Sequence, residues 1–271
     1  MIVNAVQGVP MDEGGDSSAA VVTKSAIADR LRMIRSRIAE AAVTAGRQPG
    51  DVNILLATKT QAVRVVGLAC QALVEMGLAP LRLGENRSRE GRDKAAELGL
   101  PDIRWSMIGH VQTNKVGEVL EFATEVQSLD RLSLAAALER QLQRRGQMLD
   151  VLVQVNTSGE ASKFGLQPSD VQAFLRDLSA YSALRVTGFM TIATLTNDIE
   201  ERRRCFRVLR QLRDQAKERD GEILTELSMG MSSDYELAVE EGATCVRLGE
   251  AVFGPRSFRP TGGWWPEGGT V

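Results

Sequence analysis

The chain predicts an α/β fold, a closed (β/α)8 TIM barrel, on three observations. Short apolar runs alternate strictly with amphipathic stretches, which implies a parallel sheet with right-handed crossovers. Eight such units fit one domain of a 271-residue chain. Polar and glycine-bearing residues gather just past the strands, where barrel sites are built. An open doubly wound sheet is the competitor. Against it, the first strand–helix junction lacks a Gly-x-Gly-x-x-Gly fingerprint, and the chain has no Walker motif.

The elements follow in order. A helix over 25–45, closed by Gly46, leads into strand 53–59, the buried run Asn-Ile-Leu-Leu-Ala-Thr-Lys. Helix 61–77, strand 80–84, helix 87–98, strand 103–108, helix 113–121 and strand 123–128 come next. Helix 131–145 stops at Gly146, a residue suited to a helix C-cap, before strand 150–155. Helix 168–180 opens at Pro168 with Ser169 and Asp170 in its first turn, and Phe174, Leu175 and Leu178 form its buried stripe. Strand 184–189 precedes helix 198–219, where Phe206, Leu209, Leu212 and Ala216 recur at helical spacing. Its Arg202-Arg203-Arg204 run reads as a solvated face. Strand 224–228, helix 233–241 and strand 244–249 complete the set, followed by a short Ala251–Gly254 segment. Residues 1–24 are expected to be a disordered extension, 25–258 the barrel, and 259–271 a tail whose Trp264 and Trp265 could pack back on the body.

Bulk properties exclude several function classes. A net charge of −2 and the lack of a basic, aromatic-bearing stripe argue against a nucleic-acid partner. Cys70, Cys205 and Cys245 are odd in number and far apart, which suits a reducing cytoplasm better than a disulfide framework. His110 is the single histidine, so no zinc site is expected. The first twenty residues do not read as a signal peptide, and no apolar run reaches membrane-spanning length.

The chemistry collects at the strand ends. Buried strands rarely finish on a lysine, and Lys59 does so at a barrel mouth. A partly desolvated amine there can form a Schiff base with an aldehyde; snorkelling into solvent is the plainer alternative. The strand-seven end, Ser228-Met229-Gly230-Met231-Ser232-Ser233-Asp234, reads as a phosphate cradle. Gly230 lets backbone approach an anion, the hydroxyls of Ser232 and Ser233 can bind it, and a helix starting near 233 would aim its free N–H groups at the loop. Capping by Ser232, Ser233 and Asp234 is compatible with that role. Gly249, past strand eight, offers another close amide. Arg247 shares the face of Gly249 by the period-two rule, and an inward arginine needs an anion or an acceptor. A pyridine nitrogen is one such acceptor; ion pairing with Glu85, Glu226 or Glu250 is the structural alternative. Lysine, phosphate loop and arginine together describe a pyridoxal 5′-phosphate (PLP) site. His110 reads as a capping or surface residue.

These motifs give the chain a resemblance to the pyridoxal phosphate homeostasis proteins, which share the fold of the alanine racemase N-terminal domain. It covers about 25–256 and rests on Leu55–Thr60, Leu83–Asn86, Trp105–Lys115, Val155–Thr157 with Lys163–Gly165, Gly188–Thr191, Leu227–Tyr235 and Val246–Gly254. The resemblance implies PLP held as a covalent aldimine on Lys59. Ser232 and Gly249 would hold the phosphate, helped by backbone near Gly230 and Met231; Ser228 would be a further cofactor-binding residue, Arg247 would face the ring nitrogen and Asn86 lie beside the ring. Two residues depart from the family pattern. Ser106 stands where histidine is common, and Glu250 where a small hydroxyl residue is common, so Glu250 is expected to point away from the phosphate.

Racemisation needs a base on each face of the α-carbon. Lys59 can serve one face. Tyr181 and Tyr235, the two tyrosines, are poorly placed for the other, and no second β domain is expected after strand eight. The reading is therefore a monomeric PLP carrier and vitamin B6 regulator, with PLP-dependent apoenzymes as recipients. A single-domain amino-acid racemase is the alternative.

Overall fold

A computed structural model describes residues 22–100, 102–220 and 224–255. Eight parallel strands close into a barrel in sequence order. They are β1 Asn53–Ala57, β2 Leu81–Glu85, β3 Ile103–Met107, β4 Glu125–Leu129, β5 Leu149–Gln154, β6 Leu184–Met190, β7 Glu226–Ser228 and β8 Cys245–Leu248. β8 returns to β1 with Leu56 opposite Leu248, which closes the cylinder. The helices are α1 Lys24–Thr44, α2 Val63–Glu75, α3 Ser88–Leu98, α4 Val116–Val119, α5 Leu132–Arg145, α6 Val171–Leu178, α7 Ile199–Asp220, α8 Tyr235–Glu240 and α9 Glu250–Phe253. The predicted barrel is thus the observed one.

α1 precedes β1 but packs between α2 and α8, filling the outer ring on the far side of β8. Arg47, just past it, ties it there by donating to the Val239 carbonyl of α8. The extension expected over 1–24 lies outside the described residues except at its end. There Thr23 caps α1 by accepting from the Ala26 N–H. The tail at 259–271, with Trp264 and Trp265, also lies outside the described residues.

Alternation along the strands sorts side chains into two layers. Leu56, Leu83, Trp105, Val126, Val153, Phe189, Leu227 and Val246 point outward into one apolar cluster with the helices. The predicted stripe of α7, Phe206, Leu209, Leu212 and Ala216, is buried in that cluster. The intervening residues fill the barrel, and many are polar: Arg82, Arg104, Ser106, Glu125, Gln127, Glu226, Ser228 and Arg247.

Several boundaries differ from expectation for local reasons. β1 ends at Ala57. Thr58 still donates its N–H to Gly84, and then Thr60 adopts φ 65° and turns the chain, leaving Lys59 two residues past the strand. The segments 113–121 and 168–180 each begin with a 3-10 turn, Thr113–Lys115 and Pro168–Asp170, before the α-helix starts. The arginine run of α7 is more than a solvated face. Arg203 pairs with Glu240 at the end of α8 and with Glu241 just past it, and Arg202 donates to the Ser233 carbonyl.

Candidate functional site

The sequence-predicted residues meet at the C-terminal mouth of four neighbouring strands, β7, β8, β1 and β2. Lys59 sits there half-buried, between two residues that are firmly held. Lys94 of α3 donates to the Thr58 carbonyl at 2.6 Å, to Glu85 Oε1 at 2.8 Å and to Glu90 Oε1 at 2.7 Å. Thr58 Oγ1 donates to the same Glu85 oxygen, and the Thr60 N–H donates to Glu90. The backbone on both sides of Lys59 is thereby fixed. Burial pushes the Glu85 carboxyl above the ordinary range, against the pull of Lys94 and Thr58. Sequence reasoning missed Lys94, although a signal existed. Gly91, Lys94 and Leu98 form the buried face of α3 at i, i+3 and i+7, an unusual stripe to contain a lysine.

The β7–α8 loop differs from the expected helix-terminus cradle. α8 starts at Tyr235, because Asp234 turns its carboxylate back to accept from the Met231 N–H at 2.6 Å. Asp234 therefore closes the loop instead of capping the helix, and burial raises its pKa. Ser232 Oγ accepts from the Ala251 N–H at 3.1 Å, tying the loop to the start of α9, so its own proton can face the mouth. Gly230 has φ 91°, and a Cβ there would sit 2.5 Å from the Ala238 Cβ; only glycine fits. Its carbonyl accepts from the Arg247 N–H. Gly249 precedes α9, and Glu250 is exposed, as expected for a side chain turned away from an anion.

Arg247 is 5 % exposed, and burial lowers its basicity. Neither the ion pair with Glu85 nor that with Glu226 or Glu250 forms. Glu85 binds Lys94 and Glu226 binds Arg82. Arg247 Nη1 instead donates to Ser228 Oγ at 2.8 Å and Nη2 to the Thr191 carbonyl at 2.7 Å. Ser228, expected at the cofactor, engages Arg247 on one side and Gln127 Oε1 on the other. Asn86 follows β2, half-buried. Gly109 beyond β3 packs on its backbone so closely that a Cβ would lie 2.3 Å from the Asn86 oxygen.

His110 is neither a cap nor a plain surface residue. Its ring stacks on Phe164 with centroids 3.7 Å apart, and Nδ1 lies 3.4 Å from Asp130 Oδ2. Burial lowers its pKa. Beside Phe164, Lys163 bridges Glu160 and the Ala193 carbonyl, joining the loops after β5 and β6. Among the described residues no cluster of metal-ligating side chains occurs, and no helix is long and apolar enough to cross a membrane.

A parallel barrel with a lysine beyond β1 and an arginine inside β8 defines a class. The family model for the alanine racemase N-terminal domain matches residues 22–257, and the chain belongs to that family. An alanine racemase of Clostridium difficile shares the fold alone: TM-score 0.66 at 17% identity, covering 85% of this chain and 57% of that one. Closer likeness lies elsewhere. A pyridoxal phosphate homeostasis protein of Pseudomonas aeruginosa is 38% identical over 235 residues, 86% of this chain and 97% of its own. Its counterpart in Aquifex aeolicus is 36% identical over 230 residues, 85% and 98% of the two chains. The structure of PipY from Synechococcus elongatus with PLP bound superposes with TM-score 0.70 at 33% identity, covering 84% of this chain and all of that one. Within the barrel class, the chain belongs to the pyridoxal phosphate homeostasis proteins.

Proposed function

We propose that this chain binds PLP at the barrel mouth and serves as a vitamin B6 carrier and regulator without strong catalysis of its own. The observation that carries the reading is Arg247, a buried cation held by neutral partners at the mouth that Lys59 shares. A guanidinium can donate but never accept, so it suits an unprotonated pyridine nitrogen, which can only accept. PLP supplies an aldehyde, an anion and that nitrogen. Lys59 would hold the aldehyde carbon through its amine as a covalent but reversible Schiff base, with the aldehyde oxygen lost as water. Ser232 and the amides around Gly230, Met231 and Gly249 hold the phosphate, and Asn86 borders the ring. The named relatives and the PLP-bound neighbour support the same reading.

The carrier role is favoured over the racemase by where the two phenols lie. Tyr181 and Tyr235 both pack in the outer layer, and the Tyr235 hydroxyl meets Arg37 of α1. Neither can reach a group held on Lys59 in the barrel. The protein acts as a monomer, and PLP-dependent apoenzymes are its recipients. The three buried free thiols suit the cytoplasm.

Loading with PLP should turn the protein yellow, and borohydride should then fix the label on Lys59, read by peptide mapping. A protein that stays colourless overturns the reading; a label mapping chiefly to another lysine overturns the assignment. Solvent deuterium should not enter the α-carbon of alanine or serine at an enzymic rate. Rapid incorporation would restore the racemase.

A further inference from the structure

We propose that Gln127 and Glu125 are positioning residues for Arg247. They fix the direction of a buried hydrogen-bond chain that presents the guanidinium to the ring nitrogen. The ring comes from the function proposed above, on which this inference rests; the chain of bonds stands without it.

Each link has one possible direction. Arg247 can only donate, and it donates to Ser228 Oγ. Ser228 accepts there and gives its single proton to Gln127 Oε1 at 2.7 Å, a direction set from the carboxylate end of the row. Gln127 turns its amide nitrogen to the acceptor Glu125 Oε2, which lies at 2.6 Å, and therefore faces Ser228 with oxygen. Glu125 can only accept, and it is held in turn by Ser106 Oγ at 2.5 Å and Arg104 Nη2 at 2.6 Å. Glu125, Gln127, Ser106 and Ser228 are all fully buried, so the bonds are made among side chains. Flipping the Gln127 amide would set oxygen against carboxylate at Glu125 and take from the Ser228 proton its Gln127 acceptor. A carboxylate at the far end of the row therefore orients a cation at the mouth through residues of three strands, β4, β7 and β8.

Arg247 has five N–H donors and a long, rotatable stem. Its Nη2 contact is to backbone and survives any side-chain change. Its Nη1 contact depends on Ser228 keeping a lone pair toward it, and that is set by Gln127. Together the two contacts fix the guanidinium plane. Ser228 and Gln127 should therefore govern recognition of the ring nitrogen and leave the phosphate and the Lys59 linkage alone. Ser106, one of the departures from the family pattern, gains a role as a holder of Glu125.

The test compares affinity for PLP with affinity for 1-deazapyridoxal 5′-phosphate, which lacks only the ring nitrogen. Ser228→Ala should reduce the preference for PLP about tenfold, the scale of one charge-assisted hydrogen bond. Gln127→Met should reduce it several-fold, and the double variant should be no worse than Ser228→Ala, because Gln127 acts through Ser228. Equal losses for both ligands, additive losses or an unchanged preference would each overturn the proposal. A second arm needs no cofactor. In the free protein, the Arg247 guanidinium protons, assigned with Arg247→Lys, should exchange slowly with water and should exchange fast in both single variants. Unaltered exchange overturns the proposal even if the chain proves to bind neither ligand, an outcome that would count against the cofactor reading alone.

Discussion

The two layers of this barrel are made of opposite materials. Between strands and helices lies one apolar cluster in which Leu31, Leu56, Leu83, Leu138, Phe189 and Phe206 are fully buried. Inside the strands, Arg82 pairs with Glu226, Arg104 with Glu125 and Asp150, and Arg247 with Ser228 and Thr191. Barrels of this kind are usually filled with branched apolar residues. Here Leu55, Leu152, Met190 and Cys245 are buried but stand apart from the outer cluster. The outer layer needs only volume and hydrophobicity. The interior must satisfy every donor and acceptor, which is costly, and its polar column rises through Arg247 toward the mouth.

The largest expected effect tests the outer layer. Phe206 of α7 is fully buried among Cys205, Leu209 and the strand side chains. Phe206→Ala removes a ring and leaves a cavity, and should cost about 3–5 kcal/mol in denaturant unfolding. A loss below about 1 kcal/mol would mean that the site collapses freely, unlike a close-packed core. The comparison between layers would then lose its first term.

The outer layer is also the part most legible in the sequence. Phe174, Leu175, Leu178 and the α7 stripe announce themselves by spacing, and each strand shows as an apolar run. Eight strands in order can therefore be counted along the chain from hydrophobicity alone. Lys59, Arg247 and the Gly230 loop are legible too, because strand ends are where such residues are rare. The interior is not. Gln127 meets Ser228 across 101 positions, and nothing local in either marks the other. The same holds for Arg247. Its side chain signals an inward cation, but the partners are a hydroxyl and the Thr191 carbonyl, and a carbonyl has no signature in sequence. α8 starts later than its spacing suggests because Asp234 spends its carboxylate on the residue three before it. Hydrogen-bond partners chosen by the fold decide such details after propensity has been counted.

A second experiment sharpens the interior side. Arg82 and Glu226 pair in the barrel with side chains 13% and 10% exposed. Glu226→Leu strands the Arg82 cation and should cost roughly 3 kcal/mol, the lower end for breaking a buried pair. The double variant Arg82→Met/Glu226→Leu removes both charges and should lie within about 1 kcal/mol of the parent. Recovery in the double variant identifies the pair as a matter of mutual satisfaction. Equal or greater loss would mean that the column contributes stability in its own right, and the contrast between layers would fail.

The smallest effect concerns Glu85, where the two materials meet. It lies at the end of β2, facing Lys94 of α3 from among apolar neighbours, directly beside Thr58. Burial raises its pKa above the ordinary 4.5. The folded protein therefore holds this proton more tightly than the unfolded chain does. Between the ordinary and the raised value the folded state binds more protons, so this group's contribution to stability falls as pH rises through that window. Glu85→Gln cannot titrate. Loss of its charged bond to Lys94 sets a constant offset, but the stability of the variant relative to the parent should climb across the window and level off above it. Denaturant midpoints measured in matched buffers on both sides of the carboxylate range read that slope directly. A relative stability that falls with pH would show that Lys94 and Thr58 outweigh burial, and the floor beneath Lys59 would then be an ordinary ion pair.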